Sequence, residues 1–303
     1  MIDNKEKEFV GMKIFIMTDL EGVSGVLDSE NCCWGTGKYY ESSRVLLTEE
    51  VNAAVRGFFK GGADAVEVQI GHRTDSIVPE LLDSRAALFN GRHEPTWPWN
   101  LDKSFDALAF VGQHAKAGSS YSHLAHTGNK RTLDQRVNGI SIGEYGMMAL
   151  CAMELGIPTI FAAGEEALCR EAEALTPGVV TVAGKRGVNP DNGESASMTF
   201  AQYQKINLSA RHEPIAKVRQ ALEAGAEKAM LKLLSDPDSF HYPEIKPPYY
   251  VVREYRPDPD SKEYPEAFAL AGYCDSFIDG CNNIAYGSNE KRIPLSEVLD
   301  RKQ

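Results

Sequence analysis

Several features are scarce or missing in this chain of 303 residues, and each absence removes a class of protein. No apolar run approaches the ~18 residues that span a bilayer, so membrane residence is not expected. Residues 1–11 are polar and of mixed charge, without the apolar core of a secretory signal, and the expected location is the cytoplasm. There are only 6 cysteines, none in a C-x-x-C pair; the adjacent Cys32 and Cys33 suit reduced thiols better than a disulfide framework or thiolate-held zinc. Basic residues are outnumbered, 32 Lys and Arg against 43 Asp and Glu, and the net charge of -11 argues against nucleic acid as a partner.

Short signatures for nucleotides and helical zinc sites are missing too. Neither G-x-G-x-x-G nor H-E-x-x-H occurs, because His93-Glu94 and His212-Glu213 lack the second histidine. The run from Gly35 to Lys38 resembles the end of a phosphate-binding loop. Cys32, however, stands where the first glycine is needed and Tyr39 replaces Ser or Thr, so the run reads as a plain loop. His93, His212 and His241 read as ordinary surface or packing residues, and Asn207-Leu208-Ser209 as a glycosylation sequon by pattern alone.

What the chain does have is order. At roughly 150 residues per domain, its length sets a prior of about two domains. Apolar runs of strand length alternate with helix-length periodic segments through the first two thirds, the pattern of parallel βαβ units. Strands are expected at 13–17, 66–70, 108–111, 159–163 and 179–183. Helices are expected at 44–59, closed by Gly61-Gly62, at 143–155, closed by Gly156, and at 165–175. A loop over 187–193, a long helix over 215–234, a Pro- and Tyr-rich stretch over 241–265 and a strand over 249–255 mark a change of character. The expected organisation is an α/β domain over 12–205, with a parallel-type, Rossmann-like sheet and flanking helices, followed by a smaller α+β part over 206–303.

One coincidence recurs within the first domain. An apolar strand runs into one or two small or polar residues and then into a metal-ligand type. Residues 14–17 lead through Thr18 to Asp19, with Glu21 two positions on; residues 66–70 lead through Gly71 to His72; residues 108–111 lead through Gly112 and Gln113 to His114. Ligands of open parallel sheets bind beyond the carboxyl ends of the strands, where such side chains converge. Glu144 opens a helix after residues 140–143; alone it is a first-turn carboxylate complementing the helix dipole, and in this company it is a further ligand. A shared Asp19 with Glu21, His72, His114 and Glu144 offers three contacts to each of two metal ions, leaving positions open for water and substrate. His123 and His126, taken alone, read as solvated loop residues, yet a hydrolase needs a proton carrier beside its metals.

These residues also carry a resemblance. Asp19 to Gly25 (DLEGVSG), Gly71-His72, Gly112 to Gly118 (GQHAKAG), Leu124 to Thr127 (LAHT) and Gly143 to Gly146 (GEYG) resemble, in order, the motif set of the binuclear zinc D-aminopeptidase family found in bacterial dipeptide-transport operons. The resemblance runs from Met12 to about Leu175. It implies that Asp19 bridges two zinc ions, that Glu21, His72, His114 and Glu144 complete the ligands, and that His126 is the catalytic histidine, because its LAHT context and its spacing from Glu144 match the family pattern. It further implies D stereochemistry and ring-shaped homo-oligomers. The first 11 residues, the Cys32-Cys33-Trp34 region and the C-terminal third depart from the pattern.

The expected function is therefore metal-dependent hydrolysis of the N-terminal amide bond of short peptides or amino-acid amides, with His126 carrying the proton or stabilising the oxyanion. Manganese or cobalt would suit the same ligands as zinc. Three rivals were weighed. A serine hydrolase would use Ser141 in a G-x-S-x-G elbow, but residues 134–138 are too polar for the buried strand an elbow requires, and Asp19, His72 and His114 would go unexplained. A non-catalytic metal- or ligand-binding protein on the same fold gains nothing from open metal positions beside a spare histidine. A two-metal phosphoesterase would need more basic clustering than Arg73, Lys116, Lys130 and Arg131 supply.

Overall fold

The computed structural model describes residues 11–92, 94–287 and 292–299; residues 1–10 of the polar N-terminal stretch and His93 lie outside them. The architecture follows from β1 (Lys13–Thr18), which is apolar on both faces. Side chains alternate along a strand, so Ile14 and Ile16 enter one core while Phe15 and Met17 enter another. A strand of this kind must be covered on both sides.

A short α1 (Ser29–Cys32) precedes α2 (Tyr40–Gly61), which ends at Gly62 in left-handed backbone. Strands β2 (Ala65–Gln69), β3 (Ala86–Phe89) and β4 (Ala107–Gln113) follow, then β5 (Thr132–Val137), β6 (Ile140–Ser141) and α3 (Glu144–Leu155). Next come β7 (Thr159–Glu165), α4 (Glu166–Leu175), β8 (Val180–Gly187), α5 (Phe200–Tyr203), β9 (Ala210–His212) and α6 (Ile215–Ser235). The chain closes with β10 (Tyr249–Tyr255), β11 (Phe268–Cys274), α7 (Phe277–Gly280) and β12 (Arg292–Ile293).

The first sheet has seven strands in the order β3-β2-β1-β4-β7-β8-β9, parallel except for the β8–β9 pair; the second has five antiparallel strands in the order β12-β11-β10-β5-β6. The fold is thus α/β, a mostly parallel sheet flanked by helices with a smaller antiparallel sheet beside it. Helices α2 and α6 cover one face of the large sheet, and α3 and α4 the other. Both layers draw on residues from either side of position 205: α6 packs on α2, and β10 pairs with β5. No helix among the described residues is long and apolar enough to cross a membrane.

Two local expectations are corrected. Residues 132–137 form a buried strand in spite of their polarity, because Arg136 is ion-paired at 2.7 Å to both Asp134 and Glu254 and Thr132 accepts from Arg253. Strand β7 runs two residues beyond 163, so Glu165 ends a strand instead of opening a helix.

Chain order places the reversal of strand direction across the sheet between β1 and β4, which run side by side while β2 and β7 lie outside them. Crevices form at such switch points. The loops leaving β1 and β4 come so close that Gly112 has no room for a Cβ: at φ 79° it would overlap the Asp19 carbonyl oxygen. Gly91 has the same φ of 79° with nothing within 4 Å of its would-be Cβ. Alanine at Gly91 should therefore cost only the left-handed penalty, about 1 kcal/mol, and alanine at Gly112 at least about 2 kcal/mol more. Urea unfolding of the two variants checks this, and equal costs would contradict the crowding.

Candidate metal centre

Five of the six expected site residues leave the carboxyl ends of β1, β2 and β4 or open α3, and the fold brings all six together. Asp19, Glu21 and His114 are buried, while His72, His126 and Glu144 are partly buried. The ligand atoms of Asp19, Glu21 and His114 lie within 4.8 Å of one another, as do those of His114, His126 and Glu144.

The orientation of the imidazoles is set by backbone carbonyls, which can only accept. His72 donates from Nε2 to Cys33 O at 2.8 Å, His114 from Nδ1 to Ala115 O at 2.8 Å, and His126 from Nδ1 to Leu124 O at 2.9 Å. Each ring then turns its other nitrogen on carboxylates. His72 Nδ1 faces Glu21 Oε2 at 3.0 Å and Asp19 Oδ1 at 3.4 Å. His114 Nε2 faces Asp19 Oδ2 at 3.2 Å and Glu144 Oε1 at 3.4 Å, and His126 Nε2 faces Glu144 Oε1 at 3.8 Å. The two oxygens of Asp19 are divided between His72 and His114, the disposition of a bridging carboxylate.

Electrostatics follow from crowding anions out of water. Burial and the like charge of Glu21 raise the Asp19 carboxyl above its ordinary range. Burial opposes charge on His72, but Glu21 and Asp19 outweigh it and lift the ring to about 11; His114 is likewise raised, by Glu144 and Asp19 against its burial. Burial and the neighbouring His114 push His126 down to about 4, so it is neutral near pH 7. The buried atoms Glu21 Oε2 and His114 Nε2 make no hydrogen bond. Nitrogen lone pairs and carboxylate oxygens aimed at one another, with buried atoms left unbonded, fit divalent metal ions of the zinc type.

Two cavities meet here. A cleft of about 740 Å³ carries Trp34, Arg73, Lys130, Phe200 and Leu208 on its wall, and a smaller space of about 230 Å³ lies against Trp97, Trp99 and Tyr286. Asp19, Gly71, Gly128 and Glu144 line both.

A profile of the D-aminopeptidase family matches residues 12–254. The chain belongs to the D-aminopeptidase family. A D-aminopeptidase of Bacillus subtilis (strain 168) is 31% identical over 180 residues, which cover 59% of this chain and 65% of that relative. Among solved structures, the fold matches one titled "Zn-dependent D-aminopeptidase DppA from Bacillus subtilis, a self-compartmentalizing protease", with a TM-score of 0.70 and 22% identity over 88% of this chain and 93% of that one.

Other expectations in this family member fare differently. His123 is not solvated: it is buried, packs edge-to-face on His212 at 5.8 Å, and stays outside the cluster. His126 is only partly exposed and stacks on His114 with ring centroids 3.9 Å apart. His212 accepts from the Gly25 N–H at 3.0 Å as a packing residue, and His241 is exposed. Ser141 donates to Asp134 at 2.6 Å, and among the described residues no histidine bonds to it, so the elbow has no base.

Sequence reasoning missed the supports. Gln113 donates to Asp19 Oδ2 at 2.9 Å. Buried Lys185 donates to the carbonyls of Glu21 and, at 3.2 Å, Val26. Glu165 accepts the Ala115 N–H at 2.8 Å and the His123 N–H at 2.6 Å, one on each carboxylate oxygen, and so clamps both ends of the loop between His114 and His126. Its signal was present: Glu165 ends an apolar strand, as do Asp19, His72 and His114. Glu165→Gln keeps the shape but turns an NH2 on one of two N–H groups. It should destabilise the protein by about 1–3 kcal/mol and weaken zinc binding, read by thermal unfolding and zinc titration; unchanged values would contradict the clamp.

Proposed function

We propose that this chain is a metal-dependent aminopeptidase that hydrolyses the N-terminal amide bond of short peptides or amino-acid amides containing D-amino acids, with two zinc ions held by Asp19, Glu21, His72, His114 and Glu144. The observation that carries this reading is the set of carbonyl-pinned imidazoles aimed at buried carboxylates, with Glu21 Oε2 and His114 Nε2 unbonded. Family membership supports the peptidase chemistry, and the names of the two Bacillus subtilis relatives support zinc and the D configuration.

Zinc bound there would supply Lewis acidity to a scissile carbonyl and to water. The chain's own residues do the rest. The Nδ1–H bond to Leu124 O fixes the His126 ring on the cleft wall with Nε2 free of any backbone partner. A neutral imidazole so held takes a proton at Nε2 during attack on the amide and returns it to the leaving amine. The cleft of about 740 Å³ has room for a short peptide. We also place the chain in the cytoplasm, where its free cysteines stay reduced, and in a ring-shaped homo-oligomer by likeness to the self-compartmentalizing relative.

His126 lies near enough to Glu144 and His114 to ligate, so its variant separates two roles. His126→Ala should keep its zinc and lose at least about 100-fold in kcat on D-alanyl-p-nitroanilide. Loss of zinc would make His126 a ligand, and near-normal turnover would remove it from the chemistry. Wild-type activity should be abolished by a chelator and untouched by a serine-directed reagent; the reverse pattern would return Ser141 to consideration.

A further inference from the structure

Nearly every charged group in and beside the larger cleft is already engaged. Asp28 caps α1, accepting the Asn31 N–H at 2.6 Å. Arg73, held in left-handed backbone at φ 54°, donates to Asp75 at 3.4 Å and lies 5.7 Å from the centre of the Tyr40 ring. Arg131 is ion-paired to Asp258 at 3.0 Å and packs on Phe200 at 4.7 Å. Lys116 donates to Ser141 O at 2.8 Å.

Lys130 differs from all of these. It lines the cleft and is partly buried, and among the described residues no hydrogen bond or ion pair reaches its ammonium. The carboxylates whose field it feels, Glu21 and Asp28, are both outside ion-pair distance. A partly desolvated cation without an internal anion is costly to keep. Such a group is completed by an anion that arrives from outside.

Its position is fixed relative to the reacting centre. Lys130 follows His126 by four residues on one loop, fastened on the way by Arg253, which donates to Thr127 O at 3.1 Å, and by the Gly128 N–H, which donates to Glu144 at 2.6 Å. An extended residue spans about 3.5 Å, so the terminal carboxylate of a dipeptide lies within about one residue of the scissile carbonyl. A lysine side chain on this loop has the reach to meet it. The cleft is otherwise hostile to a carboxylate, since Asp19, Glu21, Asp28 and Glu144 all line it. Trp34, Phe200 and Leu208 leave an apolar wall for the side chain of the leaving residue.

We propose that Lys130 is a specificity residue: its ammonium binds the free C-terminal carboxylate of a dipeptide, so the protein favours dipeptides over amino-acid amides and C-terminally blocked peptides. This rests on the aminopeptidase reading and narrows its substrate. The test compares D-alanylglycine with D-alanylglycinamide, which differ only in that carboxylate, on the zinc-loaded full chain of wild type, Lys130→Met and Lys130→Arg. Charge-assisted bonds are strong, and Lys130→Met should raise KM for the free acid about ten-fold more than for the amide, with kcat for the acid within about two-fold. Lys130→Arg, which keeps the charge, should recover most of the difference. Equal KM changes for both substrates would overturn the assignment. A common fall in kcat would overturn it too, making Lys130 an oxyanion or structural group. If the wild type cleaves the amide alone, the carboxylate preference fails while the aminopeptidase reading survives; if it cleaves neither substrate, both fail.

Discussion

Carboxylates withdrawn from water need positive charge close by, and the crevice of this fold is built around that demand. Asp19 and Glu21 are buried at the end of a central strand, with Glu144 opening a helix beside them. Protein cations do not meet the demand: Lys185 is spent on the carbonyls of Glu21 and Val26, and Arg253 on those of Thr127 and Ala285. Imidazoles with their protons committed to backbone carbonyls face the carboxylates instead. That is a site shaped for metal ions, and metal affinity would return the free energy spent on burying the anions.

The supports follow from the same constraint. A metal site tolerates little slack, and each ligand loop is fastened by groups that never touch the cluster. Glu165 ties down the segment after β4, Lys185 the turn after β1, and Arg253 the loop that carries His126. Arg253 comes from the antiparallel sheet, and Tyr286 beyond it lines the smaller cavity, so the C-terminal strands act on the site although they supply none of the cluster. The close approach of the loops, with Gly112 pressed on the Asp19 carbonyl, makes this fastening possible.

Most of the large sheet was legible because its strands are apolar on both faces and its helices end at glycines such as Gly62 and Gly156. The six clustered residues were legible because ligand types recur at strand ends, and position at a strand end is a local signal. What was hidden depends on pairing across long separations. The strand over 132–137 looks too polar until Glu254 and Arg253 are set beside it, more than a hundred residues away. The burial of His123 depends on His212 and Glu165, and Lys185 reads as an ordinary surface charge until the Glu21 turn folds over it. Glu165 was the avoidable omission, since it has the same strand-end position as the ligands.

The claim that everything else leans on is that Asp19 is shared between two metal ions. Native mass spectrometry of the zinc-loaded full chain tests it most directly, with Asp19→Asn and His72→Ala beside the wild type. The account predicts two zinc ions per wild-type chain, one in His72→Ala, and none retained at stoichiometric zinc in Asp19→Asn, because both half-sites lose the same ligand. A wild-type chain that binds no zinc, or an Asp19→Asn chain that still holds two, would contradict it.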